Sequence, residues 1–441
     1  MCGNIDQRSH QDPPISPHDI ALRSSSQKSD VPYPCPHMDP VTHLLTGATL
    51  ARTGFNRKAA YATLAMTLAA EAPDLDTLWS VRGPVYGLQH HRGITHTFLG
   101  IPFEAAIVLA LVYALHRYRL HRAAQATRST QRTQPATTRP LTAAPVRWPL
   151  LYAFLLVALL SHILLDWTNN YGIRPFFPFN PHWYALSIVF IVDPLILLSL
   201  TAALLAPALF GLVAGEVGAR RTPFRGQGWA FAGLLAVLAL WTLRFTQHAA
   251  ALQLAATSSY GRPDAPVLPD QVLRTFASPS PLNPFLWHTI VETPAFFQFA
   301  TADTRRTLLD TDPAADILPK PPVTPATLVA DRSFLGHIYL DWSQWPVITD
   351  LGPTPLPSPN PAPLTSRTAL PLSSRSAAEG SGSLRTTPNE VTFRDLRFFD
   401  SSSLTSTSRQ NPPLSAREYI DLTQPPGSRI LATYLDDRPQ R

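Results

Sequence analysis

Between residues 98 and 245 the chain alternates long apolar runs with short polar breaks. Four runs are long enough to matter: FLGIPFEAAIVLALVYAL (98–115), WPLLYAFLLVALLSHILLDW (148–167), ALSIVFIVDPLILLSLTAALLAPALFGLV (185–213) and GWAFAGLLAVLALWTLRF (228–245). Each approaches or exceeds the ~20 residues that a helix needs to cross the hydrocarbon core of a bilayer. Two shorter segments precede them, PVTHLLTGATLAR (40–52) and RKAAYATLAMTLAAEAP (57–73). They are helical by composition but marginal for spanning, and a re-entrant hairpin buried against the longer helices accommodates them.

After about residue 250 the period changes. Short runs of β character, FLWHTIV (285–291), AFFQFA (295–300), FLGHIYLDW (334–342) and VTFRDLRFF (391–399), are separated by Pro-, Ser- and Thr-rich stretches. The expected fold is therefore mainly α. A polytopic helical membrane domain (38–250), with four spans and two short helices, precedes a small β-rich extramembrane domain (251–441). A disordered insertion is expected at about 350–388. Residues 1–37 carry turn residues, no apolar period and no signal-peptide core. They read as a disordered extension, or as sequence upstream of a true start at Met38.

Charge orients these elements. The net charge is +6, and the segment 116–147 holds seven arginines and no acidic residue. Arg220, Arg221 and Arg225 lie in the next break but one, and Arg57 and Lys58 between the two short helices. Arginine-rich loops stay cytoplasmic, which makes membrane topology a better account of the charge than nucleic-acid binding. Alternation then puts 74–97, 167–184 and everything after about 250 on the outer side, the periplasm of a Gram-negative cell. The two cysteines, Cys2 and Cys35, exclude a disulfide framework or thiolate metal site from the rest of the chain. A metal held there needs His, Asp or Glu ligands, which suit Zn, Mn or Fe.

The same topology gathers ionisable residues near one membrane face. His162 and Asp166 are spaced i, i+4 and share a helix face. They suit one metal ion, a carboxylate-oriented imidazole, or a plain interhelical hydrogen-bonded pair. Asp74 and Asp76 follow a Pro and suit either a cation or an ordinary turn. In GLQHHRGITHTFLG, Gly93 is expected to turn the chain and Thr95 to cap a helix starting at His96, with His91 on the preceding loop. Arg92 suits an anionic oxygen, or the cluster anchors lipid headgroups. Glu104, two turns after His96, is either its partner or half of a metal-free pair. Asp193 falls inside the third run, and His43 gains weight only by association. His288 and His337 read as surface or strand residues.

Taken in order, MDPVTHLLTGATLAR, APDLD, HRGITHT, SHILLDWTNNYGIRPFFPF and VFIVDPL resemble the YdjM-type family of inner-membrane metal-dependent hydrolases. The resemblance covers most of 38–210 and continues more weakly in LNPFLWHTIVET, WSQWPV and VTFRDLRFF. It implies metal ligands at His43, Asp74, Asp76, His91, His96, His162 and Asp166, with His90 an accessory. The resulting expectation is a multi-pass protein of the bacterial inner membrane with a divalent metal, Zn or Mn. Its reaction would be hydrolysis of a phosphoester or ester in a lipid or lipid-linked substrate. Arg92 would hold the anion, Asp74 or Asp76 would act as general base, and Asn169, Asn170 and Tyr171 would line the mouth. A non-catalytic metal-binding scaffold or sensor is the competing expectation. A transporter ranks below both, because the ionisable residues gather on one side rather than along a crossing path.

Overall fold

The computed structural model describes residues 40–129, 144–216, 226–262, 265–312, 316–357, 387–399 and 412–440. The expectations for 1–37 and for most of the 350–388 insertion lie outside these residues.

Among the described residues, eight α-helices come first. Helix α1 (Pro40–Leu50) continues through a π-helical turn (Ala51–Phe55) into the single turn α2 (Asn56–Lys58), and α3 (Ala62–Glu71) follows. A Cβ at Gly47 would come within 2.5 Å of the Met66 carbonyl oxygen, so glycine is what lets α1 lie directly against α3. A 3-10 segment (Ala72–Arg82), α4 (Pro84–His90) and a 3-10 turn (Ile94–His96) lead to α5 (Ile101–Ser129). Then come α6 (Trp148–Thr168), α7 (Pro194–Glu216) and α8 (Gln227–Thr257). Small residues of α3 (Ala62, Ala65, Ala69, Ala70) meet Leu151, Leu155, Leu159 and Ile163 of α6 in a close-packed core. The short helices are thus buried in protein, where their backbones need no water.

Among the described residues, Ile101–Gln125, Trp148–Thr168 and Gln227–Thr257 are long and apolar enough to cross a membrane. The third expected run gives a shorter apolar stretch, Pro194–Phe210. Its first residues are not helical. Ser187 takes a left-handed φ of 52°, Val189 bridges Asn169, and the Asp193 carboxylate accepts from the backbone N–H groups of Leu195 and Ile196. Asp193 therefore caps α7 rather than lying within a span, and it pairs with Arg244 of α8 at 2.7 Å.

The C-terminal region is β-rich. A two-stranded ribbon joins β1 (Tyr260–Arg262) to β2 (Ala265–Val267). One antiparallel sheet orders β3 (Arg274–Pro279), β4 (Leu286–Glu292), β5 (Phe296–Asp303) and β6 (Leu308–Asp310), with β7 (Ile317–Pro319) also paired to β5. Helices α9 (Pro325–Asp331) and α10 (Phe334–Trp342) follow. The second sheet runs β12-β11-β10-β9-β8, from β8 (Pro346–Pro353) and β9 (Asn389–Asp395) to β10 (Ala416–Ile420), β11 (Ile430–Leu435) and β12 (Arg438–Pro439).

FLGHIYLDW, expected as a strand, is helix α10. Ser333 caps it by accepting from Gly336 N–H at 2.7 Å, and Leu335, Ile338, Tyr339 and Trp342 form one buried face at helical spacing. The opening residues of the expected insertion belong to β8.

The two regions share one body. Arg397 donates to the Asn170 carbonyl at 2.8 Å, and Tyr171 packs on Trp342 with ring centroids 5.0 Å apart. The start of α5, the end of α6 and the start of α7 meet at one end of the bundle, where Phe98 N–H donates to Pro175 and Arg92 reaches Asp166. At the other end Arg52 donates to Leu204 and Gln227 to Thr53.

Candidate metal centre

Four side chains converge at the first of these ends. Ligand atoms of Asp74, His96, His162 and Asp166 all lie within 4.8 Å of one another, and all four residues are buried. His96 Nε2 is 3.1 Å from His162 Nε2, 3.3 Å from Asp74 Oδ1 and 3.3 Å from Asp166 Oδ2. His162 Nε2 is 3.4 Å from Asp166 Oδ2 and 3.7 Å from Asp74 Oδ1. An ion bound tetrahedrally at ~2.0–2.1 Å holds its ligand atoms about 3.3 Å apart. The five separations scatter around that value.

The four residues arrive from three elements. Asp74 sits in the 3-10 segment that Pro73 starts after α3, and His96 ends the single turn before α5. His162 and Asp166 are one helical turn apart in α6. His162 donates from Nδ1 to the Ala70 carbonyl at 2.7 Å, which fixes the tautomer and leaves Nε2 as the ligand atom.

Asp76 does not enter the cluster of ligand atoms. Its Oδ1 takes His91 Nδ1 at 2.7 Å, and its Oδ2 lies 3.3 Å from His96 Nδ1. The same Oδ2 accepts from Arg92 N–H at 2.9 Å and from the Thr95 hydroxyl at 2.7 Å. Asp76 thus orients His96 from behind, and His91 braces Asp76. His43 lies beside the four: its Nε2 is 3.4 Å from Asp166 Oδ1 and 3.9 Å from Asp74 Oδ2, and its ring stacks on His162.

Several expected roles change. Arg92, expected to meet an anionic ligand, is fully buried and places its guanidinium 2.7 Å from Asp166 Oδ1, with further donors to Asn169 and Gly172. The left-handed turn falls on Arg92 (φ 55°) rather than on Gly93 (φ −77°), because Arg92 is held at its amide by Asp76 and at its tip by Asp166. Thr95 serves Asp76, and Thr97 caps the approach to α5, accepting from Gly100 N–H at 2.9 Å. Asn170 and Tyr171 are buried rather than lining a mouth, the former donating to Ser278 of β3 at 3.3 Å. The Glu104 carboxylate keeps one oxygen without a hydrogen bond among the described residues. His90 packs on Tyr86 and Trp79, outside the cluster.

The electrostatics fit a cation. Among the described residues, Asp74, Asp76 and Asp166 are buried against one guanidinium, that of Arg92, so neutral imidazoles leave two negative charges uncompensated there. One divalent ion closes that deficit, and buried charge without compensation is costly. Oδ2 of Asp74, Oδ2 of Asp166 and Nδ1 of His43 are buried without a hydrogen bond among the described residues. Burial by itself would raise the Asp74 carboxyl, but the His162, His96 and His43 rings hold it well below the usual carboxylate range. Asp76 is likewise driven down, against its burial, by His96 and His91. Burial would lower His96, yet Asp76, Asp166 and Asp74 raise it well above an ordinary imidazole. Without an ion, the cluster draws a proton onto His96 instead.

The sequence pointed to none of Ala70, Thr97, Ser278 or Arg397. Ala70 acts through its carbonyl and Ser278 through its hydroxyl, proximities that no spacing reveals. Arg397, ion-paired with Asp395 at 2.7 Å, was detectable only as a charge in an apolar strand end.

The model of the YdjM inner membrane protein family matches residues 38–251, which contain the whole cluster. The chain is also 27% identical over 177 residues to the uncharacterized protein YfhP of Bacillus subtilis (strain 168). That alignment covers 38% of this chain and 45% of the relative. No solved structure matches the chain. Residues 38–251 therefore belong to the YdjM inner membrane protein family.

Proposed function

We propose that the protein is a membrane-embedded, metal-dependent hydrolase of phosphoesters or esters, working at the periplasmic end of its helices. The observation that carries this reading is the mutual spacing of the Asp74, His96, His162 and Asp166 ligand atoms, which suits one divalent ion. Zn and Mn suit an all-His/Asp donor set. Such an ion supplies Lewis-acid polarisation of a phosphoryl or acyl oxygen and activates water at neutral pH.

The chain's own residues do the rest. Asp76 and the Ala70 carbonyl fix the two imidazoles, and Arg92 holds Asp166 in place. His43 stands where it can take a proton, its ring against His162 and its Nε2 facing both ligand carboxylates. Arg117, Arg119 and Arg122 lie in the C-terminal half of α5, away from its start beside the site, which favours a periplasmic site.

One observation favours a second reading, a non-catalytic metal-binding scaffold. All four ligand residues are at most 7% exposed, and a closed four-ligand site is the habit of structural metals.

Two measurements decide. The full chain, purified without chelators, is expected to carry about one equivalent of Zn or Mn by mass spectrometry, and His162→Ala to lose it. Wild type without metal overturns both readings. Metal-dependent turnover of generic phosphodiester, phosphomonoester or ester substrates, absent in His162→Ala, supports the hydrolase. Bound metal with no turnover on any of them supports the scaffold.

A further inference from the structure

A cavity of about 530 Å³ lies against the back of the candidate metal centre. Its helical-region wall includes buried Asp76 with Thr95, and the exposed Trp79 and Ile94. Across from them stand Arg174, Phe177 and Trp183 of the α6–α7 connection. The remaining wall is α10, through His337, Ile338, Asp341 and Trp342. Helix α10 lies outside the segment that matches the family, so the C-terminal region completes a chamber beside the centre.

The chemistry of the lining is specific. Arg174 is 8% exposed, its guanidinium lying 4.5 Å over Trp183 and 5.0 Å over Phe177. Its Nη1 is 3.0 Å from Asp341, while its Nε has no hydrogen-bond partner among the described residues. Trp183 Nε1 also donates to Asp341, at 3.3 Å, and Asp341 itself is half-exposed at its side chain. A stacked guanidinium in a cavity wall suits a phosphate or carboxylate. The aromatic walls suit apolar atoms next to that anion, and the volume suits a small ligand or head group. The other carboxylate, Asp76, is already engaged by His91, His96, Arg92 and Thr95.

The cavity's exposed lining continues into an apolar collar. Leu75, Leu78 and Val81 are 61%, 67% and 86% exposed on the same 3-10 segment as Trp79. This segment sits at the end of the bundle where α5 starts and α6 ends. Exposed apolar side chains at that level suit the boundary of a bilayer.

We propose that this cavity is the head-group site of an amphiphilic phosphoester. Arg174 binds the phosphate, the acyl chains leave along Trp79, Ile94 and the collar, and α10 sets which head group fits. The proposal rests on the hydrolase reading for its purpose but not for its test.

The full chain in detergent is titrated with monomeric dihexanoyl phosphatidic acid, with dihexanoylglycerol, which lacks the phosphate, and with inorganic phosphate. The phosphatidic acid is expected to bind at least roughly tenfold more tightly than either fragment, since each uses half of the site. Arg174→Gln is expected to weaken it by roughly tenfold or more, through loss of the charge-assisted bonds. His337→Trp, at an exposed position, is expected to weaken it by narrowing the cavity.

Unchanged binding in both Arg174→Gln and His337→Trp overturns the site. Inorganic phosphate binding as tightly as the lipid overturns the amphiphile in favour of a free anion. Dihexanoylglycerol binding as tightly as the lipid overturns the role of Arg174. Metal-dependent turnover without lipid binding leaves the hydrolase standing and removes this proposal, whereas lipid binding without turnover does the reverse.

Discussion

Two buried clusters of charge sit in the two halves of this protein, and they are built differently. In the C-terminal region Arg397 faces Asp395 with both side chains wholly buried, and its other donors reach the carbonyls of Asn170 and Tyr171. Ser343 donates to the same carboxylate at 2.6 Å. One positive charge meets one negative charge, and the remaining polar atoms find partners. In the helical region three carboxylates share a single guanidinium, and carboxylate oxygens remain without hydrogen bonds among the described residues. The balanced pair is a staple between two regions. The unbalanced cluster has a place for a cation. Charge balance, more than burial, separates a structural ion pair from a ligand site.

Removing a ligand carboxylate gives the largest expected effect and the sharpest test of that contrast. Asp74→Asn is expected to lower affinity for Zn by a factor on the order of 10³ or more, since binding energy at such sites is large. Retained Zn affinity would make Asp74 a structural partner like Asp395. Conversely, Arg397→Leu is expected to cost about 3–5 kcal/mol by denaturant titration, with or without metal, because it strands a buried carboxylate. A cost that vanished on adding Zn would erase the distinction between the two clusters.

Residues that orient ligands come next. Asp76→Ala is expected to weaken metal affinity by about 10–100-fold while leaving roughly one equivalent bound at saturation. If it lowered the stoichiometry, Asp76 would be a ligand and the arrangement around His96 would need redrawing.

Glu418 supplies the smallest effect and an opposite pH response. This carboxyl in β10 is 1% exposed, and its burial pushes it up to about 7, with the Ser333 and Thr433 hydroxyls opposing. The folded protein therefore keeps a proton there that the unfolded chain releases near 4.5. Stability is full below the lower value, falls as pH rises between the two, and levels above the higher one. Glu418→Gln is expected to remove that fall, gaining on the order of 2 kcal/mol over wild type at pH 8 and little at pH 5. Asp74 and Asp76, whose carboxyls are held down, favour the fold in the other direction, gaining as pH rises through the carboxylate range. A Glu418→Gln protein with the wild-type pH profile would show that the carboxyl titrates normally.

Much was legible along the chain. The spans of α5, α6 and α8 read directly from length and hydropathy, because a membrane helix needs a continuous apolar run. His162 and Asp166 read as one face, since helical spacing is a property of the sequence. Helix α10 could also have been read, from Ser333 as cap and from Leu335, Ile338, Tyr339 and Trp342 at helical intervals, but a nine-residue apolar run suits a strand almost as well. The start of α7 was less accessible. It depends on Asp193 as cap and on a bridge between Asn169 and Val189.

By itself, then, the sequence determined which segments are helices at a membrane and which ionisable residues gather at one end of them. Both follow from local periodicity and the sidedness of arginine. Only the tertiary structure decided what each gathered residue does. Asp74 and Asp76 stand one residue apart, yet one turns to His162 and the other to His91 and the far nitrogen of His96. Arg92 and Arg174 are both arginines beside aromatic rings, yet one is spent on Asp166 and the other lines an open chamber with α10. These assignments rest on distances between elements far apart in the chain, and no local spacing carries that information.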